Sequence, residues 1–233
     1  MHVTRWENGK QVTDFGLGMP TTSFIGDVTV GNKVVTVPGY DDFYLAIFKP
    51  FSTNEIYVAI GEEPDGINTN FELTNSEMMT HQKFHARMVR SGDEINLKAR
   101  TGTIDTCISF YKYLVPILPP VDDFGLPFSN LKYSGTVTNT NKTLTVPGFA
   151  KRYKAVFTTM SNQDIYISIQ GVPTSLPGAG NIVKANCEVF TEDYPEAQHK
   201  SYCREVKAGD VINFISTSTG SNINVGIVFY AVG

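Results

Sequence analysis

The chain has 233 residues, a formal net charge of −4, a charged fraction of 18% and an aromatic fraction of 12%. No concentrated Lys/Arg face offers a footing for a phosphate backbone, so nucleic acid is not an expected partner, and no apolar run is long enough for a membrane-spanning helix. Val, Ile, Thr, Tyr and Phe outweigh Leu, the balance of sheets rather than helices, and the length suits one large β domain or two of about a hundred residues.

Residues 1–22 read as an extended N-terminal arm. The stretch "MHVTRWENGKQVTDFG" lacks the continuous apolar core of a signal peptide, so synthesis and folding in a cytoplasm are expected. It carries Trp6, the only tryptophan of the chain. A tryptophan in a short polar arm either staples the arm to its own domain or anchors it in a partner's pocket, since Trp dominates interface hot spots. The arm is read as matching nothing in the second half of the chain.

Beyond the arm, the chain contains itself twice. "TVPGYDDFYLAIFKPFSTNEIYVAI", from Thr36, lies without a gap over "TVPGFAKRYKAVFTTMSNQDIYISI", from Thr145. "VRSGDEINL", from Val89, answers "VKAGDVINF", from Val206, and "ISFYKYL", from Ile108, answers "IVFYAVG", from Ile227. Ordered matches separated by insertions are the mark of a duplicated domain. The predicted units are 23–114 and 132–233, joined by a Pro-rich linker, 115–131, whose prolines favour extended backbone and cannot donate to a sheet ladder. A linker of that length lets the second unit sit beside the first, related by an approximate two-fold axis.

Each unit reads as β throughout. Ile56, Val58 and Ile60 share one face of a strand, as do Ile165, Ile167 and Ile169, while Val225, Ile227 and Phe229 turn inward on the last strand with Tyr230 opposite. Pro-Gly in "TVPG" and Gly-Asp in "SGDEI" and "AGDVI" are turn pairs. Seven or eight short strands per unit predict an all-β chain of two tandem duplicated β-sandwich or jelly-roll-like domains. The one stretch with a competing helical pattern is "NSEMMTHQKFHARM".

A resemblance enters at the arm. "VTRWENG", Val3 to Gly9, resembles a V-T-R-aromatic-x-N-G opening near the start of virion structural proteins of tailed bacteriophages, and the small duplicated all-β body behind it looks like capsid decoration (cement) and accessory head or tail proteins. The resemblance implies a non-enzymatic structural role in the virion. The implied partners are the major capsid protein or other virion proteins, with self-association also open. Val3, Arg5 and Trp6 are the expected partner-binding residues, the Arg5 guanidinium being suited to a carboxylate on the coat. The competing reading is a pair of carbohydrate-binding modules for host-surface adhesion. In that case Tyr44, Tyr153, Tyr57 and Tyr166 would face solvent and stack on sugar rings.

Chemistry-bearing residues are sparse. His81 and His85 share a face on either a helix or a strand, but as strand residues they sit too far apart for one ion. Glu62, Glu63 and Asp65 cluster in "GEEPDG" without an EF-hand pattern, and the second unit is neutral there. Cys107, Cys187 and Cys203 have no metal-type spacing and are expected to be reduced, although Cys187 and Cys203 could face each other on neighbouring strands. No G-x-S-x-G elbow or H-E-x-x-H helix occurs, so no catalytic residue, cofactor or metal is predicted.

Overall fold

A computed structural model describes residues 5–7, 10–12, 20–51, 54–66, 70–81, 85–112, 126–159, 163–173, 186–190, 202–216 and 222–232, with only the backbone course for the first two segments. In chain order, β1 (Arg5–Glu7) and β2 (Lys10–Val12) precede β3 (Thr22–Thr29), β4 (Lys33–Thr36), β5 (Phe43–Pro50), β6 (Ile56–Ile60), β7 (Glu72–Thr74), β8 (Glu77–Met79), β9 (His85–Arg90), β10 (Glu94–Ala99) and β11 (Thr103–Lys112). The second half contributes β12 (Leu126–Pro127), β13 (Lys132–Val137), β14 (Lys142–Thr145), β15 (Arg152–Thr159), β16 (Ile165–Ile169), β17 (Glu188–Phe190), β18 (Tyr202–Lys207), β19 (Val211–Ser216) and β20 (Ile223–Ala231). All described secondary structure is β, as the composition predicts. "NSEMMTHQKFHARM" resolves into β8 and β9.

The strand order defines the architecture. In the first half one sheet runs β9-β5-β11-β3 and the other β4-β10-β6-β8; in the second half the orders are β18-β15-β20-β13 and β14-β19-β16-β17. Position for position these orders are the same. Eight strands divided between two facing four-stranded sheets in this order make a jelly roll. The pairings within both halves are antiparallel.

Each half closes over its own core. Tyr44, Phe48, Ile56, Val58, Leu97 and Phe110 are buried in the first, and Tyr153, Phe157, Ile165, Ile167, Phe214 and Phe229 take the same strand positions in the second. Val225 and Ile227 are inward, as expected. The predicted alternation frays at the strand ends, where Ile60 is only partly buried and Ile169 is exposed.

Kept residues outside the apolar pattern have local reasons. The phenol of Tyr44 accepts the backbone N–H groups of Tyr40 and Asp41 at 3.1 and 3.0 Å, and that of Tyr153 accepts the Ala150 N–H at 2.6 Å. A buried ring thus ends in a hydroxyl that fixes the loop after each Pro-Gly turn. In the Gly-Asp turns, Gly92 and Gly209 hold φ of 82° and 81°, a region costly for other residues. Asp93 and Asp210 each accept the N–H three residues earlier, from Arg90 and Lys207, at 2.8 Å.

Two short strands break the one-half-one-sandwich scheme. β7 lies in the first half of the sequence yet pairs with β13 as the outer strand of the second half's sheet. Conversely, β12, from the end of the predicted linker, pairs parallel with β9 of the first half, Leu126 opposite Arg87 and Pro127 opposite Met88. Pro127 is tolerated because it lies on an edge strand.

Candidate interaction surfaces

A cluster of buried polar groups lies where the halves meet. Glu55, almost fully buried, accepts the Tyr57 hydroxyl at 3.0 Å and the Asn224 side-chain amide at 3.1 and 3.0 Å, while the Arg100 guanidinium lies 3.4 Å away. Asn224 belongs to the second half, so one carboxylate ties the two together. Burial pushes the Tyr57 phenol well above its ordinary range, and the Glu55 charge adds to that push. Nearby, the Gly66 carbonyl accepts the Ser134 hydroxyl at 3.4 Å. Phe71, just before β7, stacks on Phe214 of the second core with centroids 4.5 Å apart.

This contact joins unlike surfaces. β8, an edge strand of one sheet in the first half, packs on β20 in the other sheet of the second half. Met78 of β8 lies close enough to Gly226 of β20 that a Cβ there would stand 3.2 Å away. An approximate two-fold would instead place like surfaces together. The expected two-fold relation is therefore replaced by a head-to-tail one, because β7 and β12 each reach across in a different way.

A second feature occurs twice, once covered and once open. Between the sheet edges of the first half, Glu77 of β8 and Arg87 of β9 form a two-pronged ion pair, Arg87 Nε lying 3.1 Å from the carboxylate. Their side chains are only 2% and 1% exposed. The start of the second half covers that edge. β12 pairs with β9, Phe128 meets Phe48 edge to face with centroids 6.1 Å apart, and Lys132 lies over the Phe128 ring. Desolvation holds the Lys132 ammonium below its ordinary pKa, a push that nearby Glu77, Glu62 and Asp65 oppose.

At the same strand positions in the second half, Glu188 of β17 and Arg204 of β18 pair at 2.6 Å, but they are 57% and 47% exposed. Beside them opens a groove of about 460 Å³, lined among others by Phe157, Ile167, Ile169, Tyr202 and Val206. Tyr202 stacks on Phe190 and donates its hydroxyl to Glu188 at 2.5 Å. Arg204 and that hydroxyl hold the Glu188 carboxyl below its ordinary pKa.

The predicted partner-binding residues fall partly inside the described region. Arg5 and Trp6 lie on β1, which pairs with β2 in register Arg5↔Val12 and Trp6↔Gln11, so this part of the arm folds back as a hairpin instead of running on extended. Val3 lies outside the described residues. The four tyrosines of the carbohydrate reading, Tyr44, Tyr57, Tyr153 and Tyr166, are all buried. Asp65 and Glu63 are engaged in loop structure. The Asp65 backbone N–H donates to Asn75 at 2.9 Å, and Glu63 pairs with Lys98 at 2.8 Å. His85 accepts the Thr80 N–H at 2.9 Å in the interior, and the three cysteines carry no disulfide. Among the described residues no group of three or more His, Cys, Asp or Glu is placed to hold a metal ion.

Sequence reasoning missed one repeat. Asp14-Phe15-Gly16-Leu17 and Asp123-Phe124-Gly125-Leu126 are identical and stand 109 residues apart. The same spacing separates Thr36 from Thr145. The part of the arm next to β3 therefore does have a counterpart in the second half, and that counterpart ends in β12. A gapless comparison carried upstream of "TVPG" would have found it.

No family model matches the sequence, and no curated protein matches it. Among solved structures, a cupin 2 conserved barrel domain protein from Leptotrichia buccalis is 7% identical, the match covering 91% of this chain and 85% of that one at a TM-score of 0.24. The protein YhaK from Escherichia coli is 7% identical over 91% of this chain and 86% of its own, with a TM-score of 0.28. A vicilin from Solanum melongena is 10% identical over 88% and 73%, with a TM-score of 0.24. Scores of this size carry no argument, so the all-β sandwich assignment rests on the strand order of the chain itself.

Proposed function

We propose that the chain is a non-enzymatic structural protein of a tailed-phage virion. It binds the outside of the capsid, or another virion component, by protein–protein contacts, and its two halves are copies of one duplicated jelly-roll domain. The observation that carries the functional reading is the N-terminal hairpin. Arg5–Glu7, from the V-T-R-W-E-N-G opening that resembles phage virion proteins, form β1, which pairs with β2 ahead of a body of two packed sandwiches. Arg and Trp are residue types that concentrate binding energy at protein interfaces, which suits this short paired element to a partner's pocket.

Duplication is supported by more than strand order. The capping hydroxyls of Tyr44 and Tyr153, the Asp93 and Asp210 turns, and the Glu77–Arg87 and Glu188–Arg204 pairs all recur at matching positions. The carbohydrate-binding alternative loses its support, because rings buried in a core cannot stack on a sugar.

The experiment is co-sedimentation of the purified chain with source-phage particles that lack it, comparing the intact chain with one deleted for residues 2–12. The intact chain is expected to pellet with the particles and the deleted chain to stay in the supernatant. Equal pelleting of both would remove the hairpin as the anchor, and no pelleting of the intact chain would overturn the capsid-binding reading.

A further inference from the structure

The covered and open edges, together with the missed repeat, lead to a self-assembly contact. In the first half, the edge beside Arg87 is filled by a segment of known sequence: Leu126 and Pro127 extend the sheet at β9, and Phe128 packs against Phe48. In the second half the equivalent edge, β18 beside Arg204, has no outer neighbour among the described residues, and the groove next to it is open. The chain carries a second version of the filling segment. Asp14–Met19 aligns without a gap with Asp123–Phe128, keeps Asp-Phe-Gly-Leu, and offers Met19 where Phe128 enters the core. A methionine is an adaptable filler for an apolar slot of this kind.

We propose that the groove between β17 and β18 receives the Asp14–Met19 segment of a second copy of this chain, so that chains join head to tail. The second copy, and not the same chain, follows from the contact already formed between the halves. The filling segment leaves β13 of the second half and reaches back to the half before it. The contact is between unlike surfaces, and such contacts propagate to a further body instead of closing on themselves as a pair. By the same relation, the segment that leaves β3 reaches a body on the other side of the first half, and the β18 edge of a second copy is the surface that matches it. The first half is unfinished on that side. β3 ends its sheet with no outer neighbour among the described residues, whereas its equivalent β13 is covered by β7. Ile25, at the strand position of buried Ser134, is 75% exposed.

The inference rests on the reading of the chain as a structural, protein-binding molecule, but it needs no capsid and does not involve β1 or β2. Copying the register Leu126↔Arg87 places Leu17 opposite Arg204 and Gly16 opposite Cys203. Neighbouring strands bring such Cα pairs within the separation a disulfide spans.

The test uses the full chain carrying Gly16→Cys, oxidised with diamide and read on a non-reducing gel, with Gly16→Cys/Cys203→Ser as the control. A ladder beginning at covalent dimer is expected, lost to background in the control. In parallel, sedimentation velocity across a concentration series should show association of the unmodified chain that Leu17→Asp removes. That variant should keep the wild-type melting temperature, and deletion of residues 2–12 should leave the association unchanged. A cross-link confined to single chains, one that survives Cys203→Ser, or a chain that sediments as a monomer at every concentration would overturn the proposal. Failure of the intact chain to pellet with the particles while it still self-associates would overturn the capsid-binding reading instead.

Discussion

The two halves hold the same ion pair in different surroundings, and the contrast separates what a jelly roll needs from what its neighbours add. Glu77–Arg87 is sealed beneath the start of the second half, while Glu188–Arg204 stands beside an open groove. In the exposed setting the pair contributes little, because water already solvates both charges. In the sealed setting neither charge can regain water if the other is removed, so the pair becomes a condition of the contact above it. The sharpest way to break the comparison is to delete the guanidinium in each half. Arg87→Ala is expected to cost about 3–5 kcal/mol by stranding Glu77, and Arg204→Ala less than about 1 kcal/mol, both measured by urea unfolding. Equal losses would mean that the seal over Arg87 does not hold in solution.

The glycines Gly26 and Gly135 give a second, smaller contrast. They occupy the same position of β3 and β13, yet among the described residues only β13 carries an outer neighbour. A Cβ on Gly135 would stand 2.9 Å from the Phe71 ring and 3.0 Å from its backbone nitrogen, whereas one on Gly26 would stand 3.4 Å from the nearest atom, in the Phe24 ring. Phe71 cannot retreat, because it is stacked on Phe214. Gly135→Ala is therefore expected to destabilise by about 1–3 kcal/mol through overpacking. Gly26→Ala should change the thermal midpoint little in the isolated chain. If both were neutral, β7 would not be seated on β13 as described.

These contrasts mark how far the sequence could be read. Strand period and turn chemistry are local, so Ile56/Val58, Ile165/Ile167, Tyr44/Tyr153 and Gly92/Gly209 were legible as parts of a repeated β unit. The roles of the tyrosine hydroxyls were not, because a phenol that caps its own loop and one that faces solvent look alike in the sequence. Glu55, Asn224, Phe71 and Phe128 were invisible as a contact for a different reason. Each acts across the boundary between halves, and the repeat does not keep the residue, Asp164 standing at the position of Glu55 and Met19 at that of Phe128. β7 and β12 are too short for a periodic signal, and their partners are chosen by the packing of the halves. Of the candidate site, Arg5 and Trp6 were picked out by residue type and by the resemblance of "VTRWENG", whereas the groove at β18 becomes legible only when Asp-Phe-Gly-Leu is read twice.

The last contrast is electrostatic and the smallest. Asp27 of β3 and Asp105 of β11 are direct partners across the ladder. Their equivalents in the second half are Thr136 and Asn224, and Asn224 lies in the contact with Glu55. Like charges opposite each other repel. Hydrogen bonding to Asp27 and then its charge hold the Asp105 carboxyl above its ordinary pKa. A folded-state pKa above the unfolded value means that the folded chain binds this proton more tightly. The associated stability is fully present below the unfolded pKa and is lost as pH rises through the folded one. Glu188, held down by Arg204 and the Tyr202 hydroxyl, has the opposite sign: its contribution is present above the ordinary glutamate pKa and is lost as pH falls through the lowered value. Carboxyl-resolved NMR titration should place the Asp105 midpoint above, and the Glu188 midpoint below, those of unperturbed side chains. Asp27→Asn should bring Asp105 back toward its ordinary value without moving Glu188. An Asp105 midpoint indifferent to that substitution would show that the two carboxyls do not share a proton, and the repulsion at this ladder position would then have to be relieved by solvent alone.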